Sequence, residues 1–208
     1  HEHALVKIRE DMPMDRAALI GCSTTTGVGA VLHTAGVEPG SIVAVIGCGG
    51  VGLAAINGAA IAGASMVIAV DMIDSKLELA KAVGATHTIN ASSGNAVGEV
   101  IELTKGGCDY TFEAIGLKAT AEQAFQMLAS GGTATVIGMI PVGTMVELHG
   151  VDFLMEKKIQ GSNSCIQHQH PPSIRRLLLP CSCLSGSSGV QSQAAGAHSQ
   201  DGLDSGTM

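Results

Sequence analysis

Apolar and polar positions divide the chain into short uncharged runs, longer amphipathic stretches and glycine turns. Residues 41–46 form a mostly β-branched run without charge, as expected of a strand covered on both faces in a parallel sheet. A helical stretch, 50–62, follows, and a second apolar run, 66–70, ends in Asp71. Across 74–83 the apolar Leu77, Leu79, Ala80 and Val83 are interleaved with Lys76, Glu78 and Lys81, which predicts an amphipathic helix. Residues 87–89 then read as a strand, 96–103 as a helix, 108–113 as a strand and 119–128 as a helix. Gly131 and Gly132 turn the chain into strand 133–137, and 157–160 is a last, shorter strand. Upstream, 1–8 alternates loosely like a strand and 10–13 is a turn. Residues 14–20 open a helix that Gly21 interrupts, and Ser23, Thr24, Thr25 and Thr26 offer caps for its continuation to Leu32. Such alternation of strand and helix predicts an α/β fold, a doubly wound parallel sheet with its ligand at the carboxyl ends of the strands.

The turn after the first central strand carries Gly47, Gly49 and Gly52 in the spacing G-x-G-x-x-G. With 28 glycines in 208 residues, chance matches to this pattern are common, so its context decides its meaning. Here it follows a strand, opens a helix, and precedes Asp71 by about twenty residues, where a dinucleotide fold places the acid that bonds the adenosine ribose. The first glycine allows the tight turn, the second lets backbone approach a pyrophosphate, and the third lets helix pack on strand. The phosphates would rest on N–H groups of Gly50, Val51 and Gly52. A carboxylate at Asp71 repels the extra phosphate of NADP, so NAD is favoured. A plain glycine turn before a strand-end acid, and the glycine turn of a methyltransferase, are the competing readings.

Composition narrows the classes. With 46% hydrophobic and 14% charged residues there is apolar material for a real core, in one or two domains. A net charge of −7 argues against nucleic acid or anionic membrane as the main partner. No apolar run reaches the roughly twenty residues of a membrane span, and no signal peptide is visible, so a cytoplasmic location is expected. The region 162–208 differs: it holds three of the six prolines and three of the six cysteines, with no helical or strand period outside 173–179. It reads as a polar, disordered tail or as the product of a slipped frame. Its Cys165, His168, His170, Cys181 and Cys183 fit no usual zinc spacing. Cys48 and Cys108 read as packing residues, His33 as a structural histidine with a cofactor-facing role as the alternative, and His87 and His149 as loop or strand-edge residues. Glu113, at the carboxyl end of its strand, is a candidate contact on the cofactor side. No serine sits in a nucleophile elbow.

Taken with Cys22, these motifs resemble the coenzyme domain of zinc-type alcohol dehydrogenases, the medium-chain dehydrogenase/reductase family. The resemblance rests on the stretch from Leu19 through Cys22 to Gly29, on Gly47-Cys48-Gly49-Gly50-Val51-Gly52-Leu53, and on Asp71 followed by Lys76 and Leu77. Asp109 to Gly116 and Gly131 to Met139 extend it, so that it covers roughly 1–162. It implies a Rossmann NAD-binding domain over 14–161, the end of a truncated catalytic domain over 1–13, and a non-matching tail over 162–208. It further implies that Cys22 is one ligand of a catalytic zinc whose other ligands lie upstream. Thr26 would stand beside the nicotinamide, Asp71 and Lys76 would hold the adenosine ribose, and backbone groups at Ile137 and Met139 would meet the carboxamide. The family's zinc favours the alkoxide of an alcohol, which then loses hydride to NAD. The activity expected of the parent is thus oxidation of an alcohol to an aldehyde or ketone, in a homo-oligomer, with this fragment inactive by itself. A zinc-independent quinone or enoyl reductase and a non-catalytic NAD-binding module are the alternatives.

Overall fold

The computed structural model describes residues 7–163. Six parallel strands form one sheet: β1 (Ile42–Ile46), β2 (Met66–Asp71), β3 (His87–Asn90), β4 (Cys108–Glu113), β5 (Leu128–Val136) and β6 (Lys158–Gly161), in the spatial order β3-β2-β1-β4-β5-β6. The order reverses at β1, whose neighbours are β2 and β4. Helices α3 (Gly50–Ile61), α4 (Asp74–Ala82), α5 (Ala96–Thr104) and α6 (Lys118–Gln126) make the crossovers. This is a Rossmann fold, and a crevice at such a switch point is where doubly wound sheets place ligands.

The uncharged runs are uncharged because both sheet faces are covered. Along β1, Val43 and Val45 enter a core with Val31, Ala55, Ile56, Ala59 and Phe112. Ala44 and Ile46 enter the opposite core with Ile68, Val70, Val100, Phe125 and Met127. Successive side chains on a strand point to opposite faces, so a strand between two helix layers must be apolar at every position. Phe112 and Phe125, one in each core, are fully buried; truncating either to alanine would cost about 3–5 kcal/mol.

The segment before β1 is helical throughout, where the sequence predicts a break at Gly21. It comprises α1 (Met14–Leu19), a π-helical stretch (Ile20–Thr24), α2 (Thr25–Gly29) and a second π-helical stretch (Ala30–Ala35). Ser23 and Thr25 do not cap a new helix; their hydroxyls donate back to the Leu19 and Ile20 carbonyls. The wider π turn absorbs the residue that would otherwise break the helix. Gly36, left-handed at φ 64°, ends it. Its C-terminal end is tied to the sheet edge, where Gln160 Nε2 donates to the Thr34 carbonyl at 3.2 Å and the Thr34 and Ser162 hydroxyls pair at 2.9 Å.

One further boundary moved. Leu128, predicted as the end of a helix, already pairs with Cys108 in the sheet. The β4–β5 register then shifts, with Tyr110 opposite Thr133, so Ala129 to Gly132 bulge out of the ladder. Of the predicted first strand, only Lys7 and Ile8 are described, and they hold no regular structure; the rest lies outside the described residues, as do Ser164–Met208 with the predicted helix 173–179. Among the described residues no helix is long and apolar enough to cross a membrane.

Two glycines of the N-terminal helical segment should respond oppositely to alanine. A Cβ on Gly27 would lie 2.3 Å from the Val51 carbonyl oxygen, whereas one on Gly21 meets nothing within 4 Å. Gly27→Ala should lose about 2–3 kcal/mol, and Gly21→Ala should gain up to about 1 kcal/mol, read as thermal midpoints of the two variants.

Candidate functional site

The glycine turn is shaped by what cannot fit there. Gly47 leaves β1 at φ 96°, and its N–H donates to the Val70 carbonyl at 2.8 Å. A Cβ on Gly52 would sit 1.7 Å from the Gly47 carbonyl oxygen, so only glycine lets α3 start this close to the strand. At Gly49 a Cβ position has nothing within 4 Å, and the backbone there faces open space. No side chain caps α3 and its first turn holds no acid. The N–H groups of Gly50, Val51 and Gly52 precede the first intrahelical bond, made by Leu53 N–H to Gly49 at 2.8 Å. An uncapped, positively polarised helix start of this kind accepts an anion.

Asp71 closes one flank of the turn. Its carboxylate, 9% exposed, accepts from Cys48 N–H at 2.8 Å and from Ile73 N–H at 3.1 Å, with Lys76 Nζ at 3.8 Å. The acid that ends β2 therefore also fixes the turn that ends β1. Cys48 lies fully inside, and its thiol is pushed up from an ordinary value near 9 to about 12 by burial first and by the Asp71 charge second, partly offset by Lys76. Cys108 is likewise pushed up to about 12, by burial and then Asp109. Both behave as packing groups.

The N-terminal helical segment reaches the same place from above. A Cβ on Gly50 would come 3.3 Å from Ser23 Cβ, so the residue after Cys22 rests on the first residue of α3. Thr26 Oγ1 is buried with no hydrogen-bond partner. An unsatisfied buried hydroxyl costs about 1–3 kcal/mol, which a ligand at Thr26 would relieve. Together with the Gly49 opening and the bare α3 start, this orphan hydroxyl fits a dinucleotide cofactor.

Zinc fares differently. Cys22 is exposed and reduced, but among the described residues no group of three or more His, Cys, Asp or Glu side chains is placed to hold a metal ion. The described residues do not by themselves fit a zinc centre. Cys165, His168, His170, Cys181 and Cys183 lie outside the described residues.

On the other flank, β4 and β5 deliver Glu113, Ile137 and Met139. Ile137 N–H is already taken, donating to the Glu113 carbonyl at 2.8 Å, so only its carbonyl is offered to a ligand. Met139 is exposed, while its backbone lies within 2.6 Å of where a Gly116 Cβ would be. Gly47, Gly49, Gly50, Val51, Gly52, Asp71, Lys76, Ile137 and Met139 thus lie at the carboxyl edge of the sheet or on the start of α3. Cys22 and Thr26 belong to the segment packed on that helix start. Sequence reasoning assigned no role to Gly27, within the Leu19 to Gly29 stretch, whose close approach to Val51 seats the segment, and missed Thr120, which bonds Glu113 and sits in no motif. His87 opens β3 and pairs with the Thr86 hydroxyl at 2.9 Å, and His149 precedes a short helical turn.

Comparison with known proteins gives this geometry relatives. The family described as zinc-binding dehydrogenase matches residues 50–178. An alcohol dehydrogenase-like protein of Arabidopsis thaliana is 44% identical over 162 residues, covering 76% of this chain and 42% of its own length. Benzyl alcohol dehydrogenase of Acinetobacter calcoaceticus superposes with a TM-score of 0.74 at 36% identity, over 76% of this chain and 44% of that one. A Sinorhizobium meliloti protein classed with the zinc-binding dehydrogenases and solved with NADP superposes at 0.62 with 34% identity, over 66% of this chain and 42% of that one. The chain spans less than half the length of these relatives.

Thiol chemistry should separate the cysteines. At neutral pH, mass mapping after brief alkylation should find Cys22 modified and Cys48 and Cys108 protected until the chain unfolds. Because the two buried thiols hold their protons more tightly folded than unfolded, the stability they contribute is present below pH about 9 and falls as pH rises toward 12. Thermal midpoints across that alkaline range check the sign.

Proposed function

The chain belongs to the zinc-binding dehydrogenase family, and on that premise we propose that it is the NAD-binding portion of an alcohol dehydrogenase. The observation that carries the reading is the bare, glycine-lined start of α3 with the Asp71 carboxylate beside it. The pyrophosphate rests on the N–H groups of Gly50, Val51 and Gly52, in front of Gly49. Asp71, assisted by Lys76, accepts the adenosine ribose hydroxyls and disfavours a 2′-phosphate by charge repulsion. Thr26 Oγ1 and the backbone of Ile137 and Met139 position the nicotinamide end. When bound, the nicotinamide ring supplies hydride acceptance; these residues bind it and orient it. A small alcohol oxidised to an aldehyde or ketone is the substrate class, supported by the names of the relatives.

Cys22 is assigned as one thiolate ligand of a zinc site whose remaining donors lie outside the described residues. The described residues bring no further metal donors to Cys22, and on that basis the 208-residue chain is expected to bind cofactor without turning over alcohol. Residues 14–161 form the cofactor domain, and 1–13 belong to the catalytic part. A cytoplasmic homo-oligomer is the assembly proposed, supported by exposed Met139, Val142 and Met145 in the segment that follows β5. Sedimentation of the chain should show a dimer; a monomer at all concentrations contradicts it.

Cofactor choice is the direct test. NADH fluorescence titration should show saturable binding, with NADPH weaker. Asp71→Asn keeps an oxygen for Cys48 N–H but removes the charge, and should raise NADPH affinity relative to NADH by about tenfold. Failure to bind either nucleotide would sink the reading.

A further inference from the structure

Glu113 is fully buried, at 0% exposed, at the carboxyl end of β4. A buried carboxylate is costly unless something is gained from its bonds. Its Oε1 accepts three donors: Ile115 N–H at 2.9 Å, Gly116 N–H at 2.7 Å and the Thr120 hydroxyl at 2.7 Å. Its main-chain carbonyl accepts two more, Ile137 N–H at 2.8 Å and Gly138 N–H at 3.0 Å. One residue therefore ties the loop after β4, the start of α6 and the exit of β5 together. Its second carboxylate oxygen, Oε2, is buried with no partner. A Cβ on Gly138 would come 2.5 Å from that oxygen and 2.1 Å from Gly116 N, so the exit of β5 passes directly against the carboxylate. The same loop touches the glycine turn, since a Cβ on Gly47 would lie 2.5 Å from Ile115 Cγ1 and 3.2 Å from the Ala114 carbonyl oxygen.

We propose that Glu113 is a positioning residue for the nicotinamide half of the cofactor: by holding loop 114–116 against residues 137–139, it sets the backbone that meets the carboxamide. The inference rests on the dinucleotide reading above. The division of the site makes it specific. The adenosine half is held by Asp71, Lys76 and the start of α3, none of which bonds Glu113, whereas Ile137, Gly138 and Gly116 all do. Removing the Glu113 side chain frees the Ile115 and Gly116 N–H groups and leaves the Thr120 hydroxyl to the Leu117 carbonyl at 3.0 Å, all on the nicotinamide side and none on the adenosine side. The two main-chain bonds survive any substitution, so the sheet itself stays in register.

The test compares NADH with ADP-ribose, which lacks the nicotinamide, on the full chain by calorimetry. Glu113→Ala should weaken NADH by about tenfold while ADP-ribose changes less than about twofold. Glu113→Gln, which keeps an acceptor oxygen for the three donors, should restore NADH to within about threefold of the unaltered chain. Thr120→Val removes one donor from outside the core and should weaken NADH alone by a smaller factor, which keeps the test decisive if Glu113→Ala does not fold. Equal weakening of both ligands, or no weakening of NADH in either Glu113→Ala or Thr120→Val, would overturn the assignment. An unaltered chain that binds ADP-ribose but gains nothing from the nicotinamide would also overturn it. If the unaltered chain binds neither ligand, the dinucleotide reading has failed first.

Discussion

Helix α3 starts so close to the end of β1 that a methyl group on Gly52 would overlap the Gly47 carbonyl oxygen. That close approach organises the carboxyl edge of the sheet. It points the unbonded N–H groups of the first turn outward, beside the open face at Gly49. It also brings Cys48 N–H within reach of Asp71, so that an acid on the next strand serves both the turn and the candidate ribose site. The N-terminal helical segment depends on the same economy of side chains. Gly27 seats against Val51, and Ser23 against Gly50, which sets Cys22 and Thr26 beside the turn.

Two fixed acids flank this turn, with different surroundings. Asp71 ends β2, is nearly buried, and has a lysine ammonium within 3.8 Å. Glu113 ends β4, is wholly buried, and answers to backbone N–H groups and one hydroxyl instead of a cation. Both are held by donors rather than left mobile, as preorganised sites require. Their placement follows from the reversal of strand order at β1, the switch point at whose carboxyl end doubly wound sheets hold their ligands. Packing supplies the rigidity, since every residue of β1 from Val43 to Ile46 is buried in one core or the other.

Much of this was legible in the sequence because it depends on short-range patterns. Runs such as Met66 to Val70 are apolar at each position for a reason that acts locally, and the glycine spacing with Asp71 reports a turn that few other residues could make. What escaped depends on contacts distant in sequence or on competition between local rules. Gly21 is followed by Cys, Ser and three Thr, all weak helix formers, and packing of this segment on α3 with a π turn kept the helix whole where propensity predicts a break. Leu128 reads as helix by its neighbours, yet pairing with Cys108 draws it into the sheet. Glu113 was visible as an acid at a strand end, but its five acceptor bonds come from residues up to 138 that share no motif. Cys22 was legible by resemblance alone; nothing among the described residues completes a metal site around it.

The most direct test of the central claim is an amide NMR titration of the chain with NADH. The largest shifts should fall on Gly49, Gly50, Val51 and Gly52, whose N–H groups meet the pyrophosphate, and on Ile73, whose N–H shares the Asp71 carboxylate. Saturable binding that leaves those amides unmoved, with the shifts gathered elsewhere, would contradict it.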